Sequence, residues 1–335
     1  MRKSANINGV RDMNLQEIYE NLAPDLEIIE SMLALSVRSD QATLNQSASH
    51  LLKAGGKRIR PVFVLLAGQF GSYDIDRLKK VAVPLELIHM ATLVHDDVID
   101  DAQTRRGHPT VKAQWDNRIA MYTGDYIVGR ALMIASEIDD LRVHRVLAES
   151  IVQICIGEIE QIRFFYNWRQ SLLDYLQRIR RKTALLMALS CELGGLVSKA
   201  DAHIVRSLRM FGYYVGMAFQ LTDDVLDLTG DEKVLGKPAG SDLRQGNVTL
   251  PVIYALQNAP KSERELIINY LESRGTSVPV DEVIQSVQNS EGIFYAMELA
   301  DRYLAKAIKE LDHLPADEAR ESLRMIAHFV GNRSY

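Results

Sequence analysis

Apolar residues recur at spacings of three and four along most of this chain, which is the repeat of a helix that buries one face. Near the start, for example, Leu26, Ile29, Met32 and Leu33 follow this spacing. The pattern predicts helices over residues 26–35, 78–101, 121–134, 143–165, 172–196, 204–228, 248–256 and 293–311. Runs of strict alternation bounded by tight turns, which would indicate strands, are nearly absent. The sequence therefore predicts an all-α protein.

Several of these segments are apolar on more than one face, so they are expected at the centre of a helical bundle. The breaks between them are short and polar, except for residues 229–247, which contain four glycines and Pro238. A long glycine-rich loop in a compact helical domain is more often a functional lid than a passive connector. We find no linker, so residues 1–335 are predicted to form a single domain, with a loosely ordered N-terminal segment at 1–15 and an active-site lid at 229–247.

Composition and charge narrow the class of protein. The chain has 335 residues, of which 47% are hydrophobic, and its 39 Lys and Arg against 44 Asp and Glu give a net charge of −5. This balance gives no electrostatic reason to expect nucleic acid or anionic lipid as a bulk partner. Cys155 and Cys191 lie in apolar helical patterns and provide neither a disulfide framework nor a cysteine metal site.

The first 15 residues lack the apolar core of a secretory signal, and charged residues interrupt the most apolar runs before a membrane span is complete. We expect a cytoplasmic protein with at most peripheral membrane contact.

Two similar acidic motifs, each at the C-terminal end of a long apolar helix, carry the strongest chemical signal. They read Asp96-Asp97-Val98-Ile99-Asp100, followed by Asp101, and Asp223-Asp224-Val225-Leu226-Asp227. Because residues i and i+4 of a helix share a face, Asp96 and Asp100 are expected to point together, as are Asp223 and Asp227. Like charges packed in this way need a cation, and Mg2+ characteristically bridges carboxylates to substrate phosphates. One such motif would more often be a charged helix end, but two of them favour a magnesium site.

Local clusters of basic residues form the second signal. Lys57 and Arg60 follow a Gly-Gly pair at 55–56, Arg105 and Arg106 follow the first acidic motif, and Lys182-Thr183 and Lys237 lie further on. In an acidic protein, such clusters are typical of phosphate-binding sites, where arginine offers a bidentate fork. His89 lies seven residues before Asp96, and its position fits either a core histidine or a phosphate donor.

These two signals together indicate the substrate. Metal-binding carboxylates, phosphate-binding cations and an apolar interior suit a diphosphate ester with a long hydrocarbon tail. The sequence offers no evident nucleophile of the Ser/His/Asp or Cys/His type. Metal ions can instead stabilise a departing diphosphate and leave a carbocation in a dry cavity.

The motifs resemble those of the long-chain trans-isoprenyl diphosphate synthase family, from about Leu51 to the C-terminus. The matching segments, in order, are Gly-Gly-Lys-Arg-Ile-Arg-Pro at 55–61, Leu-Val-His-Asp-Asp-Val-Ile-Asp-Asp at 93–101, Arg-Arg-Gly at 105–107, Arg-Lys-Thr at 181–183, Gln-Leu-Thr-Asp-Asp-Val-Leu-Asp at 220–227, Gly-Lys-Pro at 236–238 and Gly-Asn-Val-Thr-Leu-Pro at 246–251. The resemblance implies a single-domain isoprenoid synthase helical bundle around a central hydrophobic cavity. It also implies Mg2+-dependent, head-to-tail condensation of an allylic diphosphate, farnesyl diphosphate being the expected starter, with isopentenyl diphosphate. Heptaprenyl diphosphate, a precursor of quinone side chains such as that of menaquinone, is the product that the resemblance indicates.

The resemblance also implies roles for individual residues. The metal ligands would be Asp96, Asp100 and Asp223, supported by Asp97, Asp224 and Asp227. Isopentenyl diphosphate would be bound by Lys57, Arg60, His89 and Arg106. The diphosphate of the allylic partner would be held by Arg105, Lys182, Thr183, Gln220 and Lys237.

Product length is expected to depend on the helix before the first acidic motif. Residues five and eight positions before Asp96 would lie on successive turns below the metal site, and these are Ala91 and Ile88. In shorter-chain relatives the first of these positions tends to be aromatic, so Ala91 would leave room for a longer tail. Alternatively, Ala91 is simply a close contact between helices.

Other readings of the sequence are a class I terpene cyclase, a non-catalytic subunit of a prenyl synthase and a purely structural bundle. A cyclase usually has a different second motif, a non-catalytic subunit loses aspartates and cations, and a structural bundle leaves the acidic motifs unexplained. The resemblance further implies a dimer, either with a small dissimilar component I subunit or between two copies of the chain. The aromatic segment at 164–168 is expected either to anchor a loop or to contact a second subunit.

Overall fold

Helices form nearly all the regular structure in the computed structural model, which describes residues 15–230 and 239–332. In chain order, its first half contains α1 (Leu15–Asn21), α2 (Ala23–Ser36), α3 (Ala42–Lys53), α4 (Ile59–Gly68), α5 (Ile75–Ile99), β1 (Thr104–Arg105), β2 (His108–Pro109), α6 (Val111–Gln114), α7 (Asn117–Ala135) and α8 (Leu141–Phe164). The second half contains α9 (Leu172–Ile179), a π-helix (Arg180–Ala184), α10 (Leu185–Val197), α11 (Ala202–Thr229), α12 (Ser241–Arg244), α13 (Leu250–Asn258), α14 (Lys261–Glu272), α15 (Val280–Asn289), α16 (Gly292–Leu311) and α17 (Glu318–Gly331).

The all-α prediction is confirmed, and each segment with a helical repeat is helical in the structure. The bounds differ by a few residues; the first acidic motif, for example, ends just beyond α5, with Asp100 as its C-cap. The segment predicted at 172–196 is interrupted by the π-helix, which carries Lys182 and Thr183. A π-turn holds one residue more than an α-turn and occurs frequently at functional sites.

Two sequence expectations concern less regular segments, which the structure describes only in part. Leu15 begins α1, so it does not belong to a loose terminus, and residues 1–14 lie outside the described residues. In the segment at 229–247, Thr229 ends α11 and residues 241–244 form α12, while residues 231–238 lie outside the described part of the chain. The backbone amide of Gly240 donates to the carbonyl oxygen of Asp227 at 2.7 Å, so the end of this segment is attached to α11.

The core is built around the long central helices. Helix α11 packs against α10 and α16, α5 packs against α7 and α4, and α10 also packs against α4. Every residue of α4 from Arg60 to Gly68 is buried, as expected of a helix enclosed by others. Both free cysteines lie in helices of this bundle, Cys191 buried and Cys155 exposed. No helix within the described ranges is long and apolar enough to cross a membrane.

Two glycines on α11 allow this helix to approach the π-helix and α10 closely. A Cβ atom at Gly212 would lie 2.6 Å from the carbonyl oxygen of Met187, and one at Gly216 would lie 2.5 Å from the Cα of Ala184. Both distances are too short for a side chain, so the backbones are in direct contact. This contact brings the second acidic motif on α11 beside Lys182 and Thr183.

We predict that Gly216→Ala lowers the free energy of unfolding by about 2 kcal/mol, because the added methyl group meets backbone atoms that cannot move aside. The control is Gly129→Ala in α7, where nothing lies within 4 Å of the added atom. That substitution should instead stabilise the chain by up to about 1 kcal/mol through helix propensity. Urea denaturation of both variants measures the difference, and equal effects would contradict a close helix contact at Gly216.

Candidate active site

A cavity of about 1070 Å3 opens among the central helices, at the ends of α5 and α11 that carry the two acidic motifs. Its charged lining includes Asp96, Asp100, Asp223, Asp224, Lys57, Arg60, Arg105, Arg106 and Lys182. Its apolar lining includes Phe63, Ile154, Leu186, Met187, Val215 and Phe219. The structure therefore brings together residues from distant parts of the sequence that were predicted to act on one substrate.

The carboxylates of the first acidic motif lie in two different surroundings. Asp96 and Asp100 line the cavity, as predicted from their i, i+4 spacing. The side chain of Asp97 projects about 100° around the helix axis from that of Asp96. Its Oδ1 accepts a hydrogen bond from Nε of Arg105 at 2.9 Å and forms an ion pair with Nη2 of Arg105 at 2.8 Å. Burial raises the pKa of Asp97, and the charge of Arg105 partly offsets this. Asp97 therefore holds Arg105 in place and does not face the cavity.

The second acidic motif differs from the expected pairing of Asp223 with Asp227. The residues of this motif that line the cavity are the adjacent Asp223 and Asp224. Asp227, one turn further along α11, accepts a hydrogen bond at Oδ2 from the backbone amide of Asp242, at 3.0 Å. Asp227 thus fixes the chain at the start of α12.

Asp224 is held by hydrogen bonds from two directions. The buried hydroxyl of Tyr175 donates to Oδ2 at 2.7 Å, and Nε2 of Gln220 donates to Oδ1 at 2.7 Å. Gln220 in turn accepts a hydrogen bond from Oγ1 of Thr183 at 2.5 Å. Burial raises the pKa of Asp224, and these two donors act in the opposite direction. The network joins α9, the π-helix and α11 at one carboxylate.

A basic cluster occupies another part of the wall, near the N-terminus of α4. It consists of Lys57, Arg58, Arg60, His89 and Arg106. The turn before α4 is shaped for close packing, because a Cβ atom at Gly56 would lie 2.7 Å from Nη1 of Arg106. That same nitrogen donates to the carbonyl oxygen of Gly55. The Gly-Gly pair therefore makes room for an arginine that the β1–β2 hairpin supplies.

His89 lies in this cluster and lines the cavity, which favours the interpretation as a phosphate donor over that as an ordinary core histidine. Burial lowers its pKa well below the usual value, and the charges of Arg60 and Arg106 lower it further. The ring is consequently neutral near pH 7 and can donate one hydrogen bond without adding a charge.

Lys182 lies between the two acidic motifs. Its Nζ donates to Oε1 of Gln161 on α8 at 2.8 Å. Burial alone would lower the pKa of Lys182, but the charges of Asp96, Glu158 and Asp100 outweigh this effect and raise it. The side chain is therefore a buried cation among carboxylates.

Sequence reasoning missed Glu158, which projects from α8 into the cavity and hydrogen-bonds to Asp96. Burial raises its pKa, and the charge of Asp96 raises it further. Its spacing of three from Gln161 could have indicated that both side chains share the inner face of α8. Tyr175 was also missed, because nothing in its local sequence shows that its hydroxyl reaches a carboxylate on another helix.

The carboxylates suit a hard divalent cation. Oδ1 of Asp100 is buried without a hydrogen-bond partner, as expected of an oxygen that binds a cation. Yet among residues 15–230 and 239–332, no three His, Cys, Asp or Glu side chains are arranged to hold a metal ion on their own. An ion bound here would need further ligands, and substrate phosphates and water normally supply them to Mg2+.

The two residues of α5 that were expected to control product length are not found at the cavity wall. Ala91 and Ile88 are buried in the core, 0% and 2% exposed, and neither lines the cavity. The reason is helical geometry: the residues of α5 that face the cavity with Asp96 are His89, Thr92 and Leu93, at spacings of seven, four and three. Lys237 lies outside the described residues.

The aromatic segment at 164–168 anchors the chain that follows α12. The amide of Tyr166 donates to the carbonyl oxygen of Gly246 at 2.8 Å. The ring of Tyr166 covers Gly246, where a Cβ atom would lie 2.5 Å from a ring carbon. Trp168 donates through Nε1 to Glu272 at 3.1 Å. Of the two roles that the sequence left open, these contacts support loop anchoring.

Comparison with known proteins gives consistent matches. Residues 41–287 match the family model described as polyprenyl synthetase. The chain is 52% identical over 326 residues to heptaprenyl diphosphate synthase component 2 of Bacillus subtilis (strain 168), covering 97% of this chain and 93% of that one. The crystal structure of heptaprenyl diphosphate synthase from Staphylococcus aureus superposes with a TM-score of 0.86 at 39% identity, covering 93% of this chain and 98% of that one. A polyprenyl synthase from Caulobacter crescentus CB15, complexed with calcium and isoprenyl diphosphate, superposes with a TM-score of 0.91 at 31% identity, covering 97% and 99%.

We predict that Tyr175→Phe lowers the free energy of unfolding by about 1–3 kcal/mol, because buried Asp224 loses one of its two donors. The control is Tyr270→Phe, a buried tyrosine whose hydroxyl lies 3.5 Å from the carbonyl oxygen of Leu243. That contact is at the limit of a hydrogen bond, so its loss should cost less than about 1 kcal/mol. Denaturant titration distinguishes the two, and equal losses would show that the Tyr175 hydroxyl does not support Asp224.

Proposed function

The chain belongs to the polyprenyl synthetase family, and on that premise we propose that it condenses an allylic diphosphate, head to tail, with isopentenyl diphosphate. It is a trans-polyprenyl diphosphate synthase, a transferase of prenyl groups. The observation that carries this function is a single cavity with two anion-binding regions, one beside the acidic motifs and Lys182 and one at the basic cluster. A condensation of two diphosphates requires two such regions.

The acidic side of the cavity would hold the allylic diphosphate. Asp96 and Asp100 from α5 and Asp223 from α11 would hold a divalent cation, which we propose to be Mg2+. When bound, the cation neutralises charge on the departing diphosphate. Lys182 and Arg105 add positive charge on the same side, and Thr183 and Gln220 orient Asp224. Asp97 and Asp227 act indirectly, by holding Arg105 and the start of α12.

The basic side would hold isopentenyl diphosphate. Arg60 is buried, Lys57 and Arg106 line the same wall, and neutral His89 adds a hydrogen-bond donor. With both diphosphates fixed, the double bond of one substrate can meet the allylic carbon of the other at a short, oriented distance. The apolar wall excludes water, which would otherwise capture the carbocation. The proton lost in the final step passes to the released diphosphate.

The product is a long-chain all-trans polyprenyl diphosphate, and the relatives named above support heptaprenyl diphosphate. We propose that it supplies the side chain of a quinone, with farnesyl diphosphate as the starter, in the cytoplasm. A role of Ala91 and Ile88 in product length stays a prediction, since neither lines the cavity.

The outer face of α8 suggests where a second subunit binds. Val152, Ile156, Ile159 and Ile162 are 56%, 39%, 61% and 44% exposed, and Cys155 lies in the same stripe. A helix face this apolar is typical of an interface. The Bacillus subtilis relative is named component 2, and we propose that a small component 1 subunit covers this face. A homodimer is the other possible assembly.

We predict that Asp96→Asn lowers turnover by about a thousandfold without unfolding the chain, because it removes a carboxylate from the proposed cation site. The assay incubates the chain, alone and with a component 1 subunit, with farnesyl diphosphate, labelled isopentenyl diphosphate and Mg2+, and separates the dephosphorylated products. The control is Asp101→Asn, in the same acidic run, whose side chain is 86% exposed and pairs with Lys112. It should retain at least about a third of the activity, since surface charges contribute little. Near-normal turnover of Asp96→Asn would refute the metal assignment, and no wild-type product under either condition would refute the function.

We predict that Ile159→Arg abolishes association with the second subunit, because a charge in the middle of an apolar interface is left without a partner. The control is Phe294→Arg on α16, a 71% exposed aromatic residue away from α8. Sedimentation with and without the component 1 subunit measures the assembly. An unchanged complex with Ile159→Arg would place the interface elsewhere.

A further inference from the structure

A buried glutamate lies inside the basic cluster, where the proposed function assigns it no task. Glu86 projects from α5 into the cavity and is 3% exposed. Its charge acts on Arg58, Arg60 and Arg106, in each case favouring the charged form of the arginine. A carboxylate is an unexpected component of a site that binds an anion, since it repels the ligand.

Only one of the two carboxylate oxygens of Glu86 has a hydrogen-bond partner among the described residues. Its Oε1 accepts a hydrogen bond from Nη1 of Arg58 at 3.1 Å, whereas its Oε2 is buried without a hydrogen-bond partner. Nε of Arg60 is likewise buried without a partner. Burying such groups is costly, so the charge of Glu86 is stabilised mainly by the field of the surrounding guanidinium groups.

Arg58 links Glu86 to the outside of the cavity. It adopts a left-handed backbone conformation with φ of 48°, which a non-glycine residue adopts at a cost. Its guanidinium bonds both to Glu86 and to Glu30, whose side chains are 4% and 43% exposed. The two carboxylates therefore share one arginine, but only Glu86 lines the cavity. Substitutions of Glu86 and of Glu30 therefore form a matched pair, because each removes a carboxylate from Arg58 but only one removes a charge from the cavity.

We propose that Glu86 is a positioning residue that balances the basic cluster: it holds Arg58, Arg60 and Arg106 together while the site is empty, and it weakens diphosphate binding so that the anion can leave. Without a counter-charge, these cations would repel one another across a poorly hydrated wall. When a diphosphate enters, it takes over the role of counter-anion, and the charge of Glu86 then opposes it. The inference rests on the proposed function, in which the basic cluster binds a diphosphate.

The test is the affinity of the full-length chain for inorganic diphosphate, measured by calorimetry with a chelator present so that no divalent cation takes part. Glu86→Gln keeps the shape of the side chain and an acceptor for Arg58 but removes the charge. We expect the variant to bind inorganic diphosphate at least about tenfold more tightly, because one negative charge no longer repels the anion at short range. In turnover assays, inhibition by added diphosphate should strengthen by a similar factor.

Two controls distinguish the effect of a charge inside the cavity from the effect of removing any carboxylate that pairs with Arg58. Glu30→Gln removes the other carboxylate on Arg58 and should change the affinity by less than about twofold, because Glu30 is at the exposed end of the arginine. Glu86→Asp keeps the charge and should bind inorganic diphosphate within about threefold of the wild type. Unchanged or weaker binding by Glu86→Gln would overturn the proposal, as would an effect of Glu30→Gln equal to that of Glu86→Gln.

Failure to fold is also informative. If Glu86→Gln is insoluble, it is to be purified in millimolar inorganic diphosphate, which should replace the missing counter-charge and restore a cooperative thermal transition. A variant that remains unfolded under these conditions, while Glu30→Gln folds, would overturn the proposal.

The test also distinguishes failure of this proposal from failure of the proposed function. If the wild type does not bind inorganic diphosphate, or if Arg60→Gln leaves that binding unchanged, the diphosphate site and the proposed function are both refuted. Wild-type binding with an unchanged Glu86→Gln affinity refutes only the role of Glu86.

Discussion

Burial of like charges beside one another is the constraint on which the rest of this structure depends. Two acidic motifs face one cavity, and a cluster of arginines shares it. Each group is stabilised by charge of the opposite sign that another helix supplies: Lys182 among the aspartates and Glu86 among the arginines. Such balancing requires helices that meet closely and in fixed register, which explains the backbone contact of α11 with the π-helix at Gly216.

The parts of this structure that could be predicted from the sequence are those with a local signal. The long helices have a continuous apolar repeat, and Asp96 and Asp100 follow from their spacing. Helices such as α3 and α17 were not predicted, because their short or polar sequences depend on tertiary packing for their helical structure. The contact of Tyr175 with Asp224 joins residues 49 positions apart, and no local pattern encodes such a distance. Nor does any local pattern show that the chain after α11 returns and donates a backbone amide to Asp227.

Helix α8 has two faces with different side chains. The inner face carries Glu158 and Gln161, which contact Asp96 and Lys182. The outer face carries the apolar stripe centred on Ile159, one residue along the chain from Glu158. A subunit that packs on the stripe would therefore restrict the motion of the side chains that support the cation site. A need for a second subunit in catalysis would be physically reasonable for such an arrangement.

The π-helix at Arg180–Ala184 has a consequence for how this chain can change over evolutionary time. Its wider turn absorbs one extra residue, and Lys182 and Thr183 lie within it. Loss of a single residue here would restore a regular α-helix and change the direction in which Lys182 and Thr183 project. The ammonium group of Lys182 and the hydroxyl of Thr183 would then lose their positions against Gln161 and Gln220. A one-residue insertion or deletion in this turn is therefore expected to disturb the site even where every side chain of the acidic motifs is kept, and the composition of the turn gives no sign of this constraint.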